Sequence, residues 1–182
     1  MKMNEGVEWA AHCAVILAST PDGYATPMAV LAEFHGVPPS YLAKTLQALA
    51  RANIVVSSPG KLGGYCLARP APEITLLDIV MAVDGQQRAF RCTEVRQNGP
   101  SAVERSLYTR SCGIAETMWR AEDAWRETLA RTTIADLVTM TLRDSPTDAI
   151  ERGITWLGNE IGRRRVTRKT NDNNQRHEGG FA

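Results

Sequence analysis

Apolar residues spaced three and four apart open the chain. Val7, Ala11, Ala14, Val15 and Ala18 make one stripe, which predicts an amphipathic helix over about residues 5 to 19. Thr20-Pro21-Asp22-Gly23 ends it with turn chemistry. Thr26 then reads as an N-cap and Pro27 as the first position of a second helix, carried through Met28, Leu31 and Ala32 to about Gly36. Val37-Pro38-Pro39 breaks the chain again, and Ser40 is placed to cap a third helix from Tyr41 to about Ala52, with Leu42, Leu46 and Leu49 facing a core. The period then changes. Ile54-Val55-Val56 is β-branched, residues 59–64 are turn-rich, and Tyr65-Cys66-Leu67-Ala68 reads as a return strand. This order fits a winged helix-turn-helix; a generic small α+β domain with an exposed hairpin fits the same pattern.

A further helix is predicted from Ile74 through Val80, closing at Asp84-Gly85. Residues 86–111 show no period, and a loop of that length in a compact domain is functional or disordered. Cys92 and Cys112 at its margins favour function. The longest helical pattern follows, with Ser111 as its cap and Ile114, Met118, Ala121, Trp125 and Leu129 along one narrow seam. Arg120, Glu122, Asp123 and Arg126 lie off that seam, as in a helix that pairs with a second copy; packing against its own domain is the alternative. Thr133 and Asp136 form a capping-box pattern, and Ser145-Pro146 opens a last helix with Ile150, Ile154, Leu157 and Ile161 on one face. The fold class is therefore mostly α, with a two-stranded wing and a long helix suited to dimerisation.

Composition narrows the function classes. A chain of 182 residues, 43% apolar and 23% charged, suits one domain or one small domain with an added element, not a large multidomain enzyme. No apolar run reaches the ~20 residues of a membrane span, and no signal pattern opens the chain, so a cytoplasmic protein with no membrane partner is expected. The net charge of +1 hides an asymmetry: −2 over residues 1–24, +3 over 25–69, −4 over 70–161 and +4 over 162–182. The basic block in the region of the third helix and wing points to a polyanion. The four cysteines, Cys13, Cys66, Cys92 and Cys112, include no CxxC pair, which argues against a zinc ribbon or a dithiol redox site. No nucleophile motif, phosphate loop or paired-carboxylate signature is visible, so no enzyme is expected.

One stretch is more specific. Pro59-Gly60-Lys61-Leu62-Gly63-Gly64-Tyr65-Cys66-Leu67-Ala68-Arg69, followed by Glu73-Ile74-Thr75-Leu76-Leu77-Asp78-Ile79-Val80, closely resembles the IscR/NsrR-type regulators of the Rrf-two family. Tyr41-Leu42 and Ala135-Asp136-Leu137 match too, and the resemblance covers about residues 5–140. It implies a dimeric winged-helix transcription factor of a kind that often carries an iron–sulfur cluster. The family's usual signature is three cysteines spaced five residues apart in the loop before the long helix. Here Cys92 stands at the first position, Asn98 and Glu104 at the next two, and the second loop cysteine is Cys112. A three-cysteine 4Fe–4S site is thus absent. The RsrR-type redox sensors of this family instead hold a 2Fe–2S cluster with one Glu, one His and two Cys. Similarity to them implies Glu8 and His12 of one subunit and Cys92 and Cys112 of the other as ligands, with Trp9 beside the cluster as a redox relay. Glu8 and His12 are four residues apart and share a helix face, a spacing that an ordinary exposed Glu–His pair also satisfies. Replacing thiolates by imidazole raises a cluster's potential, and a carboxylate and an imidazole both let protonation couple to electron transfer. Cys13 and Cys66 read as packing residues.

The DNA-binding residues expected on the third helix are Ser40, Tyr41, Lys44 and Gln47, with Arg51 further along; Gly60 and Lys61 mark the wing tip. Domain boundaries follow: residues 1–85 for winged-helix DNA binding, 86–112 for the cluster loop, 113–161 for dimerisation and the C-terminal helices, and 162–182 for a basic disordered tail. The expected function is a redox-sensing transcriptional regulator that binds double-stranded operator DNA as a homodimer sharing its cluster ligands. Two alternatives stay open: a zinc-containing regulator using the same residues, and a metal-free interaction module. His35 and the tail receive no role.

Overall fold

The computed structural model describes residues 3–60 and 63–161. Its elements, in order, are α1 (Glu5–Ser19), α2 (Met28–His35), α3 (Pro39–Arg51), β1 (Val55–Ser58), β2 (Gly64–Leu67), α4 (Leu76–Asp84), α5 (Gly113–Ala130), α6 (Ile134–Asp144) and α7 (Thr147–Ile161). The mostly helical, winged helix-turn-helix expectation matches this architecture. Three short 3-10 turns, including Val95–Gln97 and Arg105–Leu107, interrupt the connections. Among the described residues, no helix is long and apolar enough to cross a membrane.

Helix α1 is the axle. The Asn4 side chain caps it by accepting from the Gly6 amide at 2.8 Å, and Glu5 and Glu8 sit at the positive end of its dipole. Its buried face is Val7, Ala10, Cys13, Ala14 and Leu17, so the expected stripe is rotated slightly and Ala11, Val15 and Ala18 lie half-buried. That face packs on α3, α4, α6 and β2, where Leu42, Leu46, Leu49, Ile74, Ile79 and Ile134 complete the core.

Three expected caps are corrected. Helix α2 has Pro27 in its cap position, because Thr26 is used elsewhere. The Thr26 backbone exchanges hydrogen bonds with Tyr65 at 2.9 and 2.8 Å, and its fully buried hydroxyl meets Thr20 at 3.1 Å. Helix α3 starts one residue before Ser40, with Pro38 at the cap and Pro39 pre-setting φ at the first helical position. Helix α5 has Cys112, not Ser111, in its cap position.

The wing strands pair antiparallel from Val55↔Leu67 to Ser58↔Gly64. Close backbone approach accounts for the double glycine. A Cβ on Gly64 would lie 2.5 Å from the Thr26 carbonyl, and one on Gly63 would lie 2.1 Å from the Ser58 oxygen. Helices α4 and α6 each begin with a full capping box, Thr75/Asp78 and Thr133/Asp136. Their starts are pinned together: the Leu76 amide donates to the Thr132 carbonyl and the Ile134 amide to the Ile74 carbonyl, both at 2.8 Å.

Helix α5 turns Ala115 and Glu122 inward, not its apolar seam. Ile114 is 69% exposed and Met118 45% exposed, while Ala121 is exposed and Trp125 and Leu129 are half-buried. The first half of the seam is therefore left open among the described residues. Helix α7 rests on α2 through Phe34 and Trp156, whose ring centroids are 5.7 Å apart. Ile161 is the buried member of its expected apolar face, and Ile154 lies exposed. The expectations for Lys61 and for the tail at 162–182 fall outside the described residues.

Candidate metal centre and nucleic-acid interface

The segment leaving α4 is strapped across α5. Glu122, almost fully buried, pairs with Arg126 at 2.7 Å and accepts the Ala89 amide at 3.1 Å. Arg126 donates onward to the Gln86 carbonyl at 3.2 Å. Arg88 donates to Asp123 at 2.7 Å, and the Trp119 indole N–H donates to the Phe90 carbonyl at 3.3 Å. These ties deliver Cys92 to the N-terminus of α5, where Cys112 sits.

The returning half of the loop closes from the other side. Arg96 donates to Glu94 at 2.5 Å and to the Arg110 carbonyl at 3.3 Å, and its guanidinium lies 4.6 Å from the Tyr108 ring centre. The Tyr108 hydroxyl donates to the Arg96 carbonyl at 2.7 Å. Glu94 is held in the left-handed region, φ 52°, with its amide 3.4 Å from the Cys92 sulfur. The result is a cluster: ligand atoms of Cys92, Glu94 and Cys112 all lie within 4.8 Å of one another. They border a cavity of about 500 Å³ whose wall also includes Arg105, Tyr108 and Trp119.

The electrostatics favour anionic donors. Backbone N–H groups of Ala115 and Ile114, in the first turn of α5, hold the Cys112 thiol below its ordinary value, and Arg96 adds to the effect. The hydrogen bond from Arg96 holds the Glu94 carboxyl below the usual carboxylate range. Two thiolates and a carboxylate are a donor set for a borderline or soft metal, not for calcium or magnesium.

The other expected ligands lie elsewhere in the chain. Glu8 and His12 are exposed on α1 and are not part of the Cys92–Glu94–Cys112 group. The His12 ring centre lies 5.6 Å from that of His35, whose pKa is lowered by burial and then by the charge of His12. Trp9, half-buried, meets Tyr41 edge-on at 6.1 Å, and the Lys44 ammonium lies 6.0 Å from the centre of the same Tyr41 ring. Cys13 is buried in the core, which pushes its thiol up to about 12, and Cys66 lies half-buried on β2.

Helix α3 divides cleanly. Leu42, Thr45, Leu46 and Leu49 face the core, while Ser40, Tyr41, Lys44, Gln47 and Arg51 are exposed. Gly60 is exposed at the wing turn with φ +100°. Sequence reasoning missed Glu94, although the Cys-x-Glu spacing at 92–94 was there to find. It also missed the Glu122–Arg126 anchor and the Trp9–Tyr41 contact, which no local pattern announces.

Residues 3–140 match the Rrf2 family model, described as an iron-dependent transcriptional regulator. Rv1287 of Mycobacterium tuberculosis, named as an HTH-type transcriptional regulator, is 31% identical over 141 residues, 75% of this chain and 81% of its own. YwgB of Bacillus subtilis, named likewise, is 30% identical over 125 residues, 69% of this chain and 76% of its own. Among solved structures, CymR, the global cysteine regulator of B. subtilis, superposes with a TM-score of 0.62 at 23% identity, covering 78% of this chain and 98% of CymR. IscR of T. potens gives a TM-score of 0.60 at 21% identity, covering 81% and 93%. At these identities the two structures share the fold.

Proposed function

Because the chain belongs to the Rrf2 family of iron-dependent transcriptional regulators, we propose that it binds operator DNA as a homodimer and couples that binding to a redox-active 2Fe–2S cluster. The observation that carries the reading is the meeting of Cys92 and Cys112 at the N-terminus of α5, from opposite ends of a long irregular loop. The donor set fits the group: two sulfurs within 4.8 Å of each other, beside an open cavity. Cys92 and Cys112 of one subunit would hold the cluster with the partner's Glu8 and the partner's His12. Once bound, it supplies a one-electron change at a potential that its nitrogen and oxygen ligands raise above an all-thiolate value.

The chain's own residues do the rest. The first-turn amides of α5 stabilise the Cys112 thiolate. Glu8 and His12, exposed on α1, are free of the core and available to a second copy. The exposed first half of the α5 seam, Ile114, Met118 and Ala121, is the face that a second copy would cover. Ser40, Tyr41, Lys44, Gln47 and Arg51 present α3 to a major groove, and Gly60 lets the wing backbone come close to DNA. Trp9, between the two α1 ligands and in contact with Tyr41, carries a shift at the metal to the recognition helix. Only a difference in DNA fit between the two redox states produces a switch. In this scheme residues 1–85 bind DNA, 86–112 hold the metal and 113–161 hold the dimer.

A subunit-mixing experiment tests it. A Glu8→Ala/His12→Ala variant and a Cys92→Ala/Cys112→Ala variant, each alone, should lack the native cluster spectrum. Mixed and reconstituted without oxygen, the heterodimer pairs one intact half of each kind and should recover one native cluster per dimer. If mass measurement confirms exchange and no cluster returns, the ligands do not cross the subunit boundary.

A further inference from the structure

The carboxylate of Glu94 has no part in the proposed cluster, yet it is the one that a single chain brings within 4.8 Å of both loop sulfurs. We propose that Cys92, Glu94 and Cys112 form a binding site for one zinc-class divalent ion within a single subunit, with a fourth position open to the cavity. The inference rests on the reading that Cys92 and Cys112 are metal ligands, and is independent of any role for Glu8 and His12.

Geometry carries it. On a tetrahedral zinc, with metal–sulfur bonds of ~2.3 Å and metal–oxygen bonds of ~2.0–2.2 Å, neighbouring donors sit roughly 3.5–3.8 Å apart. The three donors here already lie within 4.8 Å of one another, so side-chain rotation closes the set without moving the backbone far. The backbone is committed to the arrangement. Glu94 occupies the left-handed region and its amide donates to the Cys92 sulfur at 3.4 Å. Trp119 and Glu122 fix one end of the loop on α5, while Arg96 and Tyr108 fix the other. The cavity of about 500 Å³ leaves room for a water or a small exogenous ligand on the fourth position, the pattern of three protein ligands plus one open site. Thiolate pairs select a borderline ion over magnesium or calcium. Arg96 competes for Glu94 through its ion pair, so metal binding exchanges a guanidinium for a metal at that carboxylate. A zinc-class ion and an iron–sulfur cluster would therefore exclude each other, because both need the two sulfurs.

The test uses full-length, metal-free, reduced protein titrated with cobalt(II) chloride without oxygen, followed by zinc chloride. The expected result is one cobalt per subunit, with thiolate-to-cobalt charge-transfer absorption and tetrahedral visible bands that zinc abolishes. Glu94→Gln should weaken cobalt binding at least ~10-fold, the size of effect that even outer-shell losses produce at metal sites. Glu8→Ala/His12→Ala should bind cobalt as the parent does. Parent-like affinity in Glu94→Gln, or loss in the Glu8/His12 variant, would each overturn the single-subunit site. Retained charge transfer in Cys92→Ala/Cys112→Ala would remove the two-cysteine reading as well. A Glu94→Gln protein that still takes up a cluster separates this inference from the proposed function.

Discussion

Glu122→Ala should unsettle the metal centre without touching a ligand. The Glu122 side chain is 6% exposed and its partner Arg126 21% exposed, so a buried carboxylate meets a half-buried guanidinium. Removing one member of a buried pair leaves the other charge uncompensated and typically costs ~3–5 kcal/mol. Arg126 is half-buried and would keep its bonds to the Gln86 and Gln87 carbonyls and some water, so the lower figure, ~3 kcal/mol, is the upper bound here. With a urea slope of ~2 kcal/mol/M, a loss of ~3 kcal/mol moves the unfolding midpoint by ~1.5 M. The comparison is made on metal-free protein at one protein concentration, since subunit association also contributes to stability. Because Glu122 holds the Ala89 amide, the strap that delivers Cys92 should loosen, and metal uptake should weaken in the same variant. Glu122→Leu/Arg126→Met removes both charges and should recover more than half of the lost stability. A destabilisation below ~1 kcal/mol in Glu122→Ala would refute the claim that this pair anchors the strap.

Two other substitutions probe the DNA-facing half. Gly64→Ala puts a Cβ 2.5 Å from the Thr26 carbonyl, so the wing must shift; a cost of ~1–3 kcal/mol is expected, together with weaker operator binding, and parent-like values of both would contradict the close approach. Lys44→Ala should lower affinity across DNA sequences and reduce the salt slope by about one, as seen in titrations over a range of ionic strength, whereas an unchanged slope would take Lys44 off the phosphates.

The legible parts of this chain were those whose signals are local. Helical spacing located α1, β-branching followed by Gly63-Gly64 located the wing, and Thr133 with Asp136 announced its capping box directly. The misread caps share one cause: the residue chosen on local propensity was claimed by something distant or displaced by a better neighbour. Thr26 spends its backbone on Tyr65 and its hydroxyl on Thr20. Ser40 is preceded by two prolines that already fix the helix entry, and Ser111 by one position misses the residue that occupies the cap, Cys112. The apolar seam of α5 was readable as a stripe, but which face turns inward depended on Glu122 and its strap. A buried charge on the polar side of a helix has no sequence signature. Glu94 escaped for a related reason: the Cys-x-Glu spacing is local, but its significance comes from meeting Cys112 across a folded-back loop, which no local pattern announces.

In the proposed function, signalling would rest on a division of labour around α1. Ala10, Cys13, Ala14 and Leu17 lock one side of the helix into the core, so it moves as a rigid body or not at all. Glu8 and His12 occupy an exposed side, where in the proposed dimer the partner's metal would pull on them. Trp9 stands between these two sides and touches neither solvent alone nor core alone; its ring rests against Tyr41, and Tyr41 carries Lys44 over its face. A change of charge at the metal that altered the pull on Glu8 and His12 would therefore be felt within one helical turn by a ring lodged on α3. One aromatic contact and one cation link that ring to the exposed surface of α3, and neither of them requires the core to repack.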